Sequence, residues 1–267
     1  MKHIIQQPVK IFTVIFSLLK CFEISAVDEF LQTDARSLAL GRVRALSEEL
    51  VNPANLSFSS EKEIGLTVFN HFEMSELNTA TLYWKCPNSK IDFGTKFVTF
   101  GYSDYRISSW QGFLSKKIFS NLAIGIQLET IMQSSILEED SRYFLSSGIG
   151  ISYRLNERFD LSVLGENVLT TYETKPWRWM AGIRYHLSNE AVVLMETATG
   201  KIVPFAFSVG LEYAFSESFF LRSGYDSQGK APSFGIGYQW NKWKIDVGFS
   251  LHQVLGISSG ASVSYEL

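Results

Sequence analysis

The chain has 267 residues, of which 46% are hydrophobic and 19% charged, and this composition suits a folded protein of one large domain or two small ones. The formal net charge of -3 gives no indication of a nucleic-acid-binding protein. Aromatic residues make up 14% of the chain, and their positions help to decide between the fold classes considered below.

Residues 1–26 have the features of a secretory signal peptide. Lys2 and Lys10 supply a positively charged start, and the apolar run 11–19 supplies the hydrophobic region. A transmembrane helix needs about 20 apolar residues, so this run is too short to span a bilayer. We therefore predict export, with cleavage after Ala26.

The two cysteines add little chemistry to the exported chain. Cys21 follows an apolar pair and Lys20, an arrangement that loosely resembles a lipoprotein site, but the adjacent lysine argues against lipid attachment. After cleavage only Cys86 remains, which excludes an intramolecular disulfide and a metal cluster built on cysteine.

Residues 27–60 differ from the rest of the chain. They contain few aromatic residues and carry three arginines, Arg36, Arg42 and Arg44. The stretch SEELV predicts a short helix that is capped by Ser47 and ends before Pro53. The segment is too short and too polar to form a domain of its own.

Residues 61–267 alternate between apolar and small or polar side chains, which is the pattern of strands with one apolar face. In the stretch 205–215, for example, every second residue is large and apolar, and those between are small or polar. Counting such runs predicts about 14 strands, most of them long enough to cross a bilayer when tilted. The predicted strands are 62–72, 77–86, 91–101, 109–117, 121–133, 143–155, 159–166, 177–187, 190–197, 203–215, 218–226, 233–240, 243–251 and 259–267.

Alternation alone does not tell whether the apolar face meets a protein core or lipid. Short polar turns alternate with longer connections near 167–176, 197–203, 226–232 and 252–258, as in barrels whose two rims face different compartments. Many aromatic residues lie near strand ends, where interfacial girdles occur. We therefore predict an all-β, transmembrane antiparallel β-barrel. The alternative is a secreted protein of two packed sheets with the aromatic residues in its core.

The two faces of the predicted strands have different roles in a barrel. In the stretch NLAIGIQLET, the residues expected to point into lipid are Leu122, Ile124, Ile126 and Leu128. The opposite face is rich in glycine, alanine and serine, and its charged residues are expected in the lumen: Glu129, Arg154, Glu166, Arg184, Glu212, Arg222 and Asp246. They would pair with one another, with the arginines of residues 27–60, or with water.

Two stretches resemble a known family. Residues 35–58 are similar to the N-terminal hatch of FadL-like outer-membrane barrels, with matches at Ser37, Leu38, Gly41, Glu48, Asn52, Pro53, Ala54 and Leu56. Residues 243–267 resemble the end of PorV and PorQ, the FadL-like proteins of the Bacteroidetes type IX secretion system. The chain departs from the pattern in having few glycines after the hatch start, in the reduced acidic stretch SEEL, and in ending on Leu267 instead of an aromatic residue.

The resemblance implies a barrel (61–267) with an N-terminal hatch or plug (27–60) inside it, in the outer membrane of a Gram-negative cell. It also implies that the hatch and lumen residues of interest are Arg36, Gly41, Arg42, Arg44, Asn52, Pro53 and Ala54. The function first expected is a non-enzymatic role in protein secretion or cell-surface attachment. The alternative is FadL-like transport of small hydrophobic compounds. The expected partners are outer-membrane lipid and secretion-system proteins or secreted cargo.

An enzymatic barrel is the third alternative. It would need a histidine within reach of a serine or an aspartate at a rim, and His71, His186 and His252 are the candidates. Serines are frequent in this chain, so their proximity to a histidine carries little weight. We assign no catalytic residue, and we expect neither a metal nor another cofactor.

Overall fold

The computed structural model describes residues 34–88, 90–137, 140–172, 175–202 and 205–267. The predicted signal peptide and the first residues of the hatch segment lie outside these ranges. The described chain begins with helix α1 (Ala35–Ala39) and a 3-10 helix (Pro53–Phe58). Fourteen strands follow: β1 (Glu63–Asn70), β2 (Asn78–Cys86), β3 (Asp92–Gly101), β4 (Tyr105–Phe119), β5 (Leu122–Ser135), β6 (Arg142–Arg154), β7 (Phe159–Thr170), β8 (Arg178–His186), β9 (Ala191–Gly200), β10 (Ala206–Ala214), β11 (Phe219–Asp226), β12 (Ala231–Trp240), β13 (Trp243–His252) and β14 (Gly256–Glu266).

The strands form one closed barrel. Each strand pairs antiparallel with the next, and β14 pairs with β1. Leu66 in β1, for example, lies opposite Val263 on one side and Leu82 on the other. Closure leaves no strand edge without hydrogen-bond partners, which a barrel in hydrocarbon requires. The predicted antiparallel β-barrel of about 14 strands is confirmed.

The two faces of the strands alternate as the sequence predicted. In β5, Ile124, Ile126 and Leu128 point outward and are 43%, 48% and 63% exposed, whereas Ala123 and Glu129 point inward and are buried. Large apolar side chains cover the outer surface on the other strands in the same way. In the described residues, no helix is long and apolar enough to cross a membrane.

Two strand boundaries differ clearly from the prediction. Strand β4 begins at Tyr105 and not at 109, because its outward positions near the rim are polar and hide the alternation. Strand β7 continues to Thr170 and not to 166, because its pairing with β6 shifts between Ser147 and Ile149 and Asn167 takes a positive φ of 53°. A bulge of this kind breaks the two-residue period on which the prediction relied.

The connections at the two ends of the barrel differ less in length than the sequence predicted. At one end, the long-loop rim, the connections include 71–77 and 102–104, of seven and three residues. At the other end, the short-turn rim, the turns 120–121 and 241–242 have two residues each. The connections that the structure describes in full have two to seven residues at either rim.

Candidate functional site

Residues 34–59, which we call the plug, lie inside the barrel. Helix α1 packs on β11 to β14, and the 3-10 helix packs on β3 to β6. Between them the chain crosses the inner face of β8 and β10, where Leu46 meets Gly182 and Leu40 meets Gly210. Both leucines are almost fully buried. The plug therefore extends across the whole width of the lumen.

Local polar contacts set the path of the plug. Asp34 caps α1 by accepting the Ser37 N–H at 3.0 Å and also accepts the Ser47 hydroxyl at 2.5 Å. Asn52 caps the 3-10 helix by accepting the Ala54 N–H at 3.0 Å, and its amide donates to the Ala45 carbonyl at 2.9 Å. The predicted helix over SEELV is wrong, because the Ser47 side chain is engaged by Asp34 and by a tight turn, and residues 47–50 are irregular.

A left-handed turn follows α1. Gly41 and Arg42 have positive φ angles of 74° and 62°, and the Arg42 N–H donates to the Ser37 carbonyl at 2.8 Å. At this turn the plug backbone lies against Gly224 of β11, where a Cβ atom would come within 2.2 Å of the Gly41 nitrogen. Gly41 thus provides the positive φ angle of the turn, and Gly224 allows the plug backbone to approach the wall closely.

Strand glycines form a track along which the plug lies. At eight wall positions, each on a different strand, an added Cβ would come closer than 3.0 Å to an atom of the plug. These positions are Gly94, Gly125, Gly150, Gly182, Gly210, Gly224, Gly235 and Gly248. The glycines of the inner face, which the sequence predicted to be rich in small residues, therefore make room for the plug. Gly237 instead makes room for the Arg222 guanidinium.

The carboxylate of Glu212 connects the plug to the barrel wall. It accepts two hydrogen bonds from the Arg36 guanidinium, at 2.8 and 2.7 Å, and one from Arg222 of the neighbouring strand. Arg222 donates in addition to Asp246 on β13. Charge-assisted pairs with this bidentate geometry are the stronger kind of hydrogen bond. Three of the residues expected to bear lumen charges thus belong to one ionic cluster that includes Arg36.

Arg44 forms the second connection between plug and wall. Its guanidinium donates to Glu166 of β7 at 2.6 Å, and its backbone N–H donates to Glu196 of β9 at 2.9 Å. Glu196 also accepts the Ala45 N–H at 2.7 Å. Glu196 was not among the lumen charges expected from the sequence. Its charge, at an inward position in the alternation of β9, is the feature that could have identified it.

The short-turn end of the lumen is an open, charged mouth of about 380 Å³. Glu48 of the plug lies there, 3.4 Å from both Arg36 and Arg184. These guanidinium groups, Arg36 most strongly, lower the pKa of Glu48 to about 2. Arg184 donates to the Leu46 carbonyl at 2.7 Å, and the Arg154 guanidinium lies 4.3 Å from the ring centre of Phe58.

A polar layer lies in the lumen on the other side of the plug, towards the long-loop rim. Glu129 accepts from Gln111 at 2.8 Å and from Lys175, of the connection 171–177, at 3.0 and 3.3 Å. Lys96 in the same region donates to the Leu50 carbonyl of the plug. The cavity left between these groups is only about 30 Å³. These groups are therefore closely packed on this side of the lumen, and Lys96 links them to the plug.

An apolar cluster lines one side of the lumen at the long-loop end. Its buried members face inward from β3, β4, β5 and the connection 171–177: Val98, Phe100, Ile107, Ile131 and Tyr172. Phe144 of β6 packs against them, with its ring centre 4.4 Å from that of Tyr172. A second apolar cluster, of Leu50, Leu56, Tyr83 and Phe113, lies between the plug and β2 to β4. The polar layer separates the two.

Each of the three candidate histidines, His71, His186 and His252, contacts a group of the barrel wall or of its own turn. His71 is buried, with its Nε2 3.0 Å from the Thr79 hydroxyl. His252 Nδ1 accepts the N–H groups of Val254 and Leu255 within its own turn. His186 lies 3.6 Å from Asp160. In the part of the chain that the structure describes, no group of three or more acidic, histidine or cysteine side chains is arranged to hold a metal ion.

Several solved structures share this fold. A mutant of the TodX monoaromatic hydrocarbon channel has a TM-score of 0.70 at 13% identity, covering 87% of this chain and 98% of that one. The CymD monoaromatic hydrocarbon channel has a TM-score of 0.68 at 11% identity, covering 89% and 98%. A Pseudomonas aeruginosa FadL homologue has a TM-score of 0.65 at 10% identity, covering 88% and 98%.

Identities this low establish the shared fold and no more. They support the FadL part of the resemblance seen in the sequence, and they give no support to PorV or PorQ in particular. No protein-family model matches the chain, and no curated protein sequence matches it.

Proposed function

We propose that the protein is an outer-membrane channel for small hydrophobic compounds, with residues 34–59 as a plug that must move for passage. The observation that carries this proposal is the apolar cluster inside the lumen at the long-loop end. Lumens of water-filled barrels are polar, so inward-facing apolar and aromatic side chains at an entrance favour an apolar solute. The channels with the same fold are described as passing monoaromatic hydrocarbons.

The outer surface supports a location in the membrane. Side chains such as Ile126, Leu211 and Ile236 are more than 40% exposed on strands far apart around the barrel. Exposed apolar patches much larger than a few hundred square ångströms are uncommon on soluble monomers and mark contact with lipid or partners. An apolar belt on a closed barrel, with girdles of aromatic residues, is the arrangement of outer-membrane barrels.

The described structure corresponds to a closed state. An apolar solute that enters the cluster next to Phe100 and Ile131 meets the polar layer around Glu129 before it reaches the plug. Because Lys96 of that layer donates to the Leu50 carbonyl, a displacement of the plug also breaks a contact of the layer. Plug movement and opening of the polar layer are therefore coupled in this proposal.

The proposal can be tested by measuring the uptake of a radiolabelled monoaromatic compound. The assay uses intact cells of a Gram-negative strain that has no such channel of its own. Cells that produce this protein should take up the compound faster than cells without it. The variant Phe144→Ala removes an aromatic ring from the cluster. The loss of about 1 kcal/mol of apolar contact should lower solute binding about fivefold and should slow uptake accordingly.

The adjacent residue provides a matched control. Tyr143 points outward from the same strand and is 68% exposed, so Tyr143→Ala should leave uptake unchanged. Equal uptake with and without the protein, or equal effects of the two variants, would contradict the proposed function.

A role in secretion or surface attachment is the second candidate. It is supported by the close packing beside the plug, where the groups around Glu129 leave a cavity of about 30 Å³. A scaffold needs no path through its lumen. Purification from outer membranes in mild detergent distinguishes the two, since a stoichiometric protein partner supports the scaffold and a bound apolar molecule supports transport. Neither proposal assigns a catalytic residue.

A further inference from the structure

The outer wall of the barrel carries a depression of about 700 Å³ near the long-loop rim. It spans six neighbouring strands, from β13 through β14 and β1 to β4. We call it the outer groove. Its outward-facing residues are Val68, Asn70, Asn78, Ala80, Thr99, Gly101, Arg106, Val247, Phe249, Ser259 and Ala261.

Strand register explains why the wall is recessed here. One row of paired outward residues runs across the strands, and all of its members are small or β-branched: Val247, Ala261, Val68, Ala80, Thr99 and Ser108. On each of these strands the next outward residue towards the middle of the barrel is larger. These residues form the bulky row: Ile245, Val263, Leu66, Leu82, Phe97 and Trp110. The bulky row forms a step, and the outer groove lies between this step and the rim.

Polar groups border the groove at the rim. The Asn70 amide donates to the Asn78 side chain at 2.8 Å and to the Met74 carbonyl at 2.9 Å. The Asn78 amide donates to the Ser75 carbonyl at 2.5 Å. These bonds hold the connection 71–77 against the ends of β1 and β2. The border of the groove is therefore fixed by hydrogen bonds and does not depend on a ligand.

Arg106 places a positive charge at one corner of the groove. It is the second residue of β4, its side chain is on the outward face, and its paired neighbours are Gly101 and Ser134, which do not cover it. Among the described residues, its guanidinium forms no ion pair or hydrogen bond with a side chain. An arginine at the rim of a membrane barrel lies at the level of the lipid head groups.

The long-loop rim of an outer-membrane barrel faces the cell exterior, so the outer groove would lie in the outer leaflet. We propose that this groove binds a phosphate-bearing acyl lipid of that leaflet, the chemistry of lipopolysaccharide. The Arg106 guanidinium would bind the phosphate, since its planar donors match phosphate oxygens. An acyl chain would lie over the small side chains of the floor, such as Ala80 and Ala261, with the bulky row as its boundary. This inference rests on the proposed placement in the outer membrane, but not on transport.

Native mass spectrometry of the detergent-purified protein, with lipid A or dephosphorylated lipid A added, tests the inference. Arg106→Gln should lower retention of lipid A about fivefold and leave the dephosphorylated lipid unaffected, as expected for loss of one basic contact to an anionic lipid. Ala261→Trp fills the groove and should lower retention of both lipids. Heat-dependent migration of each variant on gels verifies that its barrel has folded.

Each variant has a matched control. Lys116 lies on the same face of β4 at the opposite rim, and Ala181 is an outward-facing small residue on β8, across the barrel. Lys116→Gln and Ala181→Trp should both retain lipid A as the unmodified protein does. The inference is overturned if a control loses as much lipid as its partner variant, or if the unmodified protein retains no lipid A.

The uptake assay separates this inference from the proposed function. A barrel that transports apolar compounds but does not retain lipid A overturns only the lipid site. A barrel that retains lipid A through Arg106 but does not transport overturns only the channel.

Discussion

Gly224→Ala is the substitution that tests most directly whether the glycine track holds the plug in place. The added Cβ would lie 2.2 Å from the Gly41 nitrogen and 2.4 Å from the Leu40 carbonyl carbon. Both are backbone atoms, so no side-chain rotation removes the clash. The neighbouring wall residues are held by the pairing of β11 with β10 and β12. We therefore expect the plug, and not the wall, to shift.

The magnitude follows from overpacking of the seated plug. One extra methyl group in a filled interior destabilises by about 1–3 kcal/mol. The preference of a strand for alanine over glycine does not offset this difference, because β11 is folded whether the plug is seated or displaced. The ratio of displaced to seated plug should therefore rise about 5- to 160-fold.

Opening frequency in planar lipid bilayers measures this ratio. Gly112→Ala is the matched control, because a Cβ at Gly112 has no atom within 4 Å, and this variant should open no more often than the unmodified protein. If Gly224→Ala opens as rarely as Gly112→Ala, the close approach of plug and wall does not restrain the plug, and the argument from the glycine track fails.

Two further predictions concern the outer face and the ionic cluster. Leu128→Arg places a charge in lipid near the middle of β5 and should destabilise the vesicle-inserted barrel by about 2–4 kcal/mol in denaturant unfolding. Gln239→Arg, which faces the open mouth of the lumen, should not, and equal losses would refute the lipid-facing assignment. Glu212→Gln removes the charge that Arg36 contacts and should weaken the plug by about 1.5–3 kcal/mol, seen as more frequent opening in bilayers. Asp246→Asn leaves the contact between Arg36 and Glu212 intact, and an equal rise in opening for this variant would show that the plug contact is not responsible.

Ion pairs and apolar contacts together hold the plug in the lumen. Arg36 and Arg44 form short ion pairs with the wall, and Leu40 and Leu46 pack with Leu194 of β9 in an apolar cluster. The ion pairs gain little net energy over solvation, because desolvation offsets their attraction. In the proposed channel, displacement of the plug must therefore break contacts of both kinds.

Sequence predicted the barrel because strand periodicity is a local property. The alternation through Ile124 and Ile126 requires only that successive side chains point to opposite faces, whichever strand lies beside them. The same rule placed Glu212 and Asp246 on the inner face. It failed near the bulge at Asn167, where the period is interrupted, and at SEELV, where the distant residue Asp34 takes the Ser47 hydroxyl that a helix cap would use.

What only the tertiary structure decided is which inner and outer residues meet. The sequence by itself determined the strand number, the apolar outer face, and a glycine- and charge-bearing inner face. It did not determine that Arg36 binds Glu212 while Arg44 binds Glu166, that each wall glycine faces a particular plug atom, or that small outward residues align into the outer groove beside Arg106. These relations depend on register between strands and on the path of the plug across the lumen, and both are set by long-range packing, which no local pattern encodes.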